Sequence, residues 1–102
     1  MIEVLDKKRK EISDLCSRHG VMRLDVFGSA LDAGIRSEES DIDLLVEFLP
    51  MEPYARVDAY FGLLEDLRAL LNMKVDLVMA GAVKNPYIAR EIERTKEVLY
   101  AA

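Results

Sequence analysis

The chain has 102 residues, of which 51% are hydrophobic and 32% charged, with a formal net charge of −5. That profile excludes a disordered tail, and the length sets a single domain over residues 1–102. No apolar run reaches the roughly 18–20 residues of a membrane span, and the acidic balance argues against broad electrostatic binding of nucleic acid.

Residues 1–20 read as one amphipathic helix, with Ile2, Leu5, Ile12, Leu15 and Cys16 at helical spacing and Gly20 as its stop. Glu3–Lys7 and Asp14–Arg18 form i,i+4 pairs on the wet side. The run Lys7-Lys8-Arg9-Lys10 reads as a solvated face, and His19 as a residue that closes the helix end. The lone Cys16 has no internal disulfide partner, which points to a reducing, cytoplasmic setting. Its apolar neighbours make it a core thiol. One Cys and one His are also too few for a zinc site without acids.

Val21 to Phe27 alternates as a strand and stops at Gly28-Ser29, a pair suited to a tight turn and close backbone approach. Ser29 to Asp32 can start a short helix whose free N–H groups would take an anion. The alternative is a Ser N-cap with no ligand. The second strand, Asp41 to Phe48, turns Ile42, Leu44, Val46 and Phe48 one way and Asp41, Asp43 and Leu45 the other. Asp41 and Asp43 then share a face with Cα atoms about 6.5–7 Å apart. Without a cation they repel.

Pro50 to Pro53 breaks that strand and introduces a helix over residues 54–71, with Val57, Tyr60, Phe61, Leu64, Leu67 and Leu71 as its buried stripe. Asn72 ends it in a left-handed conformation. Lys74 to Met79 is a third short apolar strand interrupted by Asp76. After a loop, Asn85-Pro86 caps a last helix running to about Lys96, and Val98 to Tyr100 forms a strand-like tail. The fold class is therefore α/β (α+β): a two-layer domain with a small mixed sheet, helices on one face and the acids on the other. A Gly-Ser turn, an Asp-x-Asp strand and a later strand Asp together form a phosphate-and-metal constellation. Clustered carboxylates favour a hard cation such as Mg²⁺.

The stretch GSALDAGIRSEESDIDLLVEF resembles the Gly-Ser…Asp-x-Asp signature of the nucleotidyltransferase superfamily that includes DNA polymerase β. It is most similar to the small bacterial and archaeal minimal nucleotidyltransferases, and the likeness extends through the VDLV run to the NPYIAREIERTKEVLYAA tail. The resemblance implies the nucleotidyltransferase fold, with Asp41, Asp43 and Asp76 as catalytic carboxylates holding two Mg²⁺ ions. Gly28 and Ser29 would meet the β- and γ-phosphates of ATP or another nucleoside triphosphate. The implied product is a hydroxyl, such as that of a tyrosine, carrying AMP. The implied partner is a small helical HEPN-domain toxin, with this chain as the antitoxin.

The chain also departs from the family pattern. Asp32 stands where many members carry Arg, and Arg36 is the residue left to supply that charge. A binding module that keeps the fold and inhibits its partner without chemistry is the alternative. A small-molecule nucleotidyltransferase would need a second domain to form its acceptor pocket.

Overall fold

The computed structural model describes residues 3–28 and 42–102. The expected N-terminal helix is divided into α1 (Glu3–Lys7) and α2 (Arg9–Arg18), with Lys8 between them at φ −102° and ψ 13°. The break falls within the four successive cations, where Arg9 turns to reach Asp6 Oδ1 at 3.1 Å and the Leu99 carbonyl at 3.4 Å. Apolar spacing carries through it, so Leu5, Ile12 and Cys16 are all fully buried. Gly20, at φ +71°, ends α2 as its position required.

Four strands follow the alternation seen in the sequence: β1 (Val21–Phe27), β2 (Ile42–Phe48), β3 (Val75–Met79) and β4 (Glu97–Ala101). They form one mixed sheet in the order β3-β2-β1-β4. β1 lies antiparallel to both β2 and β4, whereas β2 and β3 are parallel. A parallel pair needs a crossover, and α3 (Pro53–Leu71) supplies it. Asn72, at φ +53°, closes α3 and lets the chain turn into β3. After a 3₁₀ turn at Ala80–Ala82, α4 (Pro86–Thr95) starts on the Asn85 side chain, which accepts from the Tyr87 and Ile88 amides at 2.9 and 3.3 Å.

One face of the sheet, built from Leu24, Val26, Ile42, Leu44, Val46, Val75, Leu77 and Leu99, packs against Leu5, Ile12, Cys16, Leu63, Leu67 and Leu71. The helices α1 to α3 thus share a side, as the period-two pattern implied. The last helix departs from that layout. Ile92 and Ala89 of α4 border the same small hollow as Leu45, whose side chain alternates away from the main core. Ile92 is buried there, so α4 covers part of the acidic face.

The stripe on α3 is also shorter than expected. Leu63, Leu67 and Leu71 are buried and Tyr60 and Leu64 half-buried, but Val57 and Phe61 are exposed. A 19-residue helix runs roughly 28 Å at about 1.5 Å per residue. The five residues of β3 span only about 17 Å, and the first turns of α3 border an open hollow that Arg56 lines together with Val46, Phe48 and Met79. Among the described residues, no helix is long and apolar enough to cross a membrane.

Candidate active site

Three of the residues singled out in the sequence come together at one end of the sheet. β1 ends at Phe27, which pairs in register with Asp43 of β2, and Asp43 pairs in turn with Asp76 of β3. Adjacent strands lie about 4.7–4.9 Å apart, so the two carboxylates are next-strand neighbours. Both alternate away from the main core, Asp43 half-buried and Asp76 exposed. Asp41, Ser29 and Arg36, the other expected site residues, lie outside the described residues.

Gly28 is required here on two counts. Its φ of +77° belongs to the left-handed region, which side chains rarely adopt. A Cβ at this position would also stand 2.6 Å from Asp43 Oδ2. The carboxylate therefore occupies the space that the missing side chain leaves. Sequence alone suggested a turn glycine, but not that its hydrogen faces the acid.

The donor set suits the ion that the resemblance implies. Mg²⁺ binds through one or two carboxylates and completes its shell with phosphate oxygens and water. Asp43 and Asp76 supply hard oxygen donors on neighbouring strands, and as unscreened anions they would repel each other. No group of three His, Cys, Asp or Glu converges among the described residues.

Beside the acids lies a cleft of about 370 Å³. Phe27, Asp43 and Asp76 line it together with Tyr60, Leu64 and Arg68 of α3, and Val83, Ile88 and Ile92 on the α4 side. A hollow of about 400 Å³ between Phe48, Arg56, Met79 and Gly81 is larger, but among the described residues its only acid is Glu47. The cleft with two neighbouring carboxylates is the stronger site on chemical grounds.

Asp25 and His19 are engaged away from the acids. Asp25, only 2% exposed, accepts from Arg23 Nε through both carboxylate oxygens at 3.0 Å. Lys96 Nζ lies 3.9 Å from its Oδ2. The single histidine sits at the opposite end of β1, where His19 Nε2 meets Asp66 Oδ2 at 2.8 Å. It plays no part at the acids.

Two side chains near the site carried no sequence signal for their role. The Tyr60 hydroxyl donates to the Leu77 carbonyl at 2.6 Å, and Arg68 Nη2 donates to the Val75 carbonyl at 3.1 Å. Periodicity placed Tyr60 on the buried side of its helix but is blind to a bond with backbone.

Comparison with known proteins adds a lineage to this geometry. The family model for polymerase beta, nucleotidyltransferase, matches residues 10–102. A Methanocaldococcus jannaschii protein named as a candidate protein adenylyltransferase is 42% identical over 91 residues, covering 89% of each chain. The protein adenylyltransferase MntA of Thermococcus cleftensis is 38% identical over 97 residues, covering 95% of this chain and 88% of that one. Among solved structures, the complex of a tri-AMPylated Shewanella oneidensis HEPN toxin with its MNT antitoxin matches with a TM-score of 0.62. That match has 19% identity and covers 96% of this chain and 73% of the other, a likeness of fold.

Proposed function

The chain belongs to the polymerase beta nucleotidyltransferase family, and on that premise we propose that it transfers AMP from ATP to a hydroxyl of a HEPN-type helical partner, silencing it as an antitoxin. One observation carries the reading: Gly28, just past the end of β1, meets Asp43 of β2, which pairs with Asp76 of β3 beside an open cleft. The names of the relatives support AMP as the transferred group, and the AMPylated toxin in the matched complex supports the acceptor.

In this reaction the acceptor oxygen bonds to the α-phosphorus, the α–β phosphoanhydride bond breaks and pyrophosphate leaves. The hydroxyl proton passes to solvent. Such transfers depend on positioning and charge neutralisation more than on covalent help from the protein. Asp41 and Asp43 would hold Mg²⁺ on the nucleotide side, and Asp76 on the acceptor side. When bound, the metal would neutralise phosphate charge and lower the pKa of the acceptor hydroxyl.

The chain's other residues have complementary tasks. Gly28 lets the triphosphate approach the main chain, Ser29 offers its hydroxyl and amide, and Arg36 pairs with phosphate oxygens. Val83, Ile88 and Ile92 form an apolar wall to the same cleft, which suits a tyrosine ring more than a small hydroxyl side chain.

Asp32, in place of the family's frequent Arg, favours a second reading in which the domain binds and inhibits without turnover. One experiment separates the two. The chain is incubated with Mg²⁺-ATP and a purified candidate HEPN-domain partner, and the intact mass of that partner is measured. Additions of AMP that vanish in Asp43→Asn establish the transferase. A stably bound, inhibited but unmodified partner decides for the binding module.

A further inference from the structure

Among the described residues the strand that carries Asp76 is an edge strand, with β2 as its one neighbour in the sheet. Their pairing is parallel, and the Ile42 amide donates to the Lys74 carbonyl at 3.0 Å. Backbone groups alternate sides along a strand. The carbonyl of Lys74 therefore turns toward β2, and those of Val75 and Leu77 turn outward. An outward carbonyl on an edge strand would ordinarily be left to water. Here both are taken by side chains of α3: Arg68 Nη2 at 3.1 Å on Val75 and the Tyr60 hydroxyl at 2.6 Å on Leu77. These are the residues immediately before and after Asp76.

We infer that Tyr60 and Arg68 are positioning residues for Asp76, holding the peptide on each side of it so that its carboxylate keeps a fixed place beside that of Asp43. The inference rests on the reading of Asp76 as a metal-holding carboxylate. Asp76 is exposed, so packing against the core does not hold it. The direction of its side chain is set by the backbone of Val75 to Leu77, and that backbone is fastened on one side by β2 and on the other by these two residues. Tyr60 is itself restrained, because its ring meets Phe61 edge-to-face with centroids 5.0 Å apart. Both side chains also border the cleft that contains Asp43 and Asp76. Groups hydrogen-bonded directly to a metal ligand commonly change affinity about 10- to 100-fold when removed; Tyr60 and Arg68 act through the adjoining backbone, so the lower end is expected of the pair.

The test counts bound cations and needs no turnover. Mn²⁺ is titrated into the full chain with a non-hydrolysable ATP analogue, and free Mn²⁺ is followed by electron paramagnetic resonance. Thermal melts are recorded in parallel. Tyr60→Phe and Arg68→Met each remove a hydrogen bond but keep the bulk of the side chain. The pair together should weaken the weaker class of Mn²⁺ sites by about tenfold and leave the tighter class in place. Asp76→Asn should remove that weaker class, and adding the pair to Asp76→Asn should change nothing further.

A lowered melting temperature with an unchanged Mn²⁺ isotherm would reduce Tyr60 and Arg68 to edge capping and overturn the inference. An isotherm unchanged in Asp76→Asn, or no second class in the unaltered chain, would instead refute the metal reading of Asp76. The two single variants carry the test should the pair fail to fold.

Discussion

At the scale of single residues, the site depends on what Gly28 lacks. Its left-handed backbone and the 2.6 Å gap to Asp43 Oδ2 mean that any side chain both strains the turn and displaces a carboxylate. Strain of this kind costs about 1–3 kcal/mol, and the displaced acid adds a loss in binding. Gly28→Val should therefore abolish detectable Mg²⁺-ATP binding by calorimetry. Ser29→Ala removes one hydrogen bond to a charged phosphate oxygen, worth about 1.5–3 kcal/mol, and should weaken binding by about 10- to 150-fold. A larger loss for Ser29→Ala would make the hydroxyl, and not the turn, the principal phosphate contact.

At the scale of elements, α3 divides into a half that holds the core and a half that does not. Leu67, fully buried between sheet and helices, should cost about 2–5 kcal/mol when changed to Ala. Val57, on the first turns and 49% exposed, should tolerate Lys within about 0.5 kcal/mol. Paired urea melts check both values. The same helix shows what sequence can and cannot convey. Its ends were legible because Pro53 and Asn72 act locally on φ, and the strands were legible because alternation is local too. Which turns of α3 find a neighbour depends on what lies across the layer, and periodicity carries no such information. The position of α4 over the acidic face, and the bonds from Tyr60 and Arg68 to β3, escaped for the same reason. They are tertiary events. At the site, the residue types and spacing of Gly28, Asp43 and Asp76 were readable, whereas their register was a product of the sheet.

At the scale of the whole molecule, stability should depend on pH through the core. Burial pushes the Cys16 thiol from its ordinary value of 9.0 up to about 12, because the thiolate loses its hydration there. Below about pH 9 the thiol is protonated whether the chain is folded or unfolded, and its contribution is fully present. Above that pH the unfolded chain releases a proton that the folded chain keeps. Stability then falls as pH rises toward 12, by up to about 1.4 kcal/mol per pH unit. Urea melts between about pH 8 and 11 should show this decline, and Cys16→Ala should flatten it. Parallel curves for the two proteins would mean that the thiol is wetter than its place between α2 and the sheet implies.

The parallel pairing of β2 with β3 also sets an order of assembly. Gly28 and Asp43 lie on or beside antiparallel neighbours that follow each other in the chain, but Asp43 and Asp76 meet only after all of α3 has been laid across the sheet. Closing that long segment costs entropy before its contacts offset it. A half-folded chain can bring one acid to the turn, yet it cannot bring both. On the roles proposed for Asp43 and Asp76, a half-folded chain would lack nucleotide chemistry, and the topology itself would work as an inspection step.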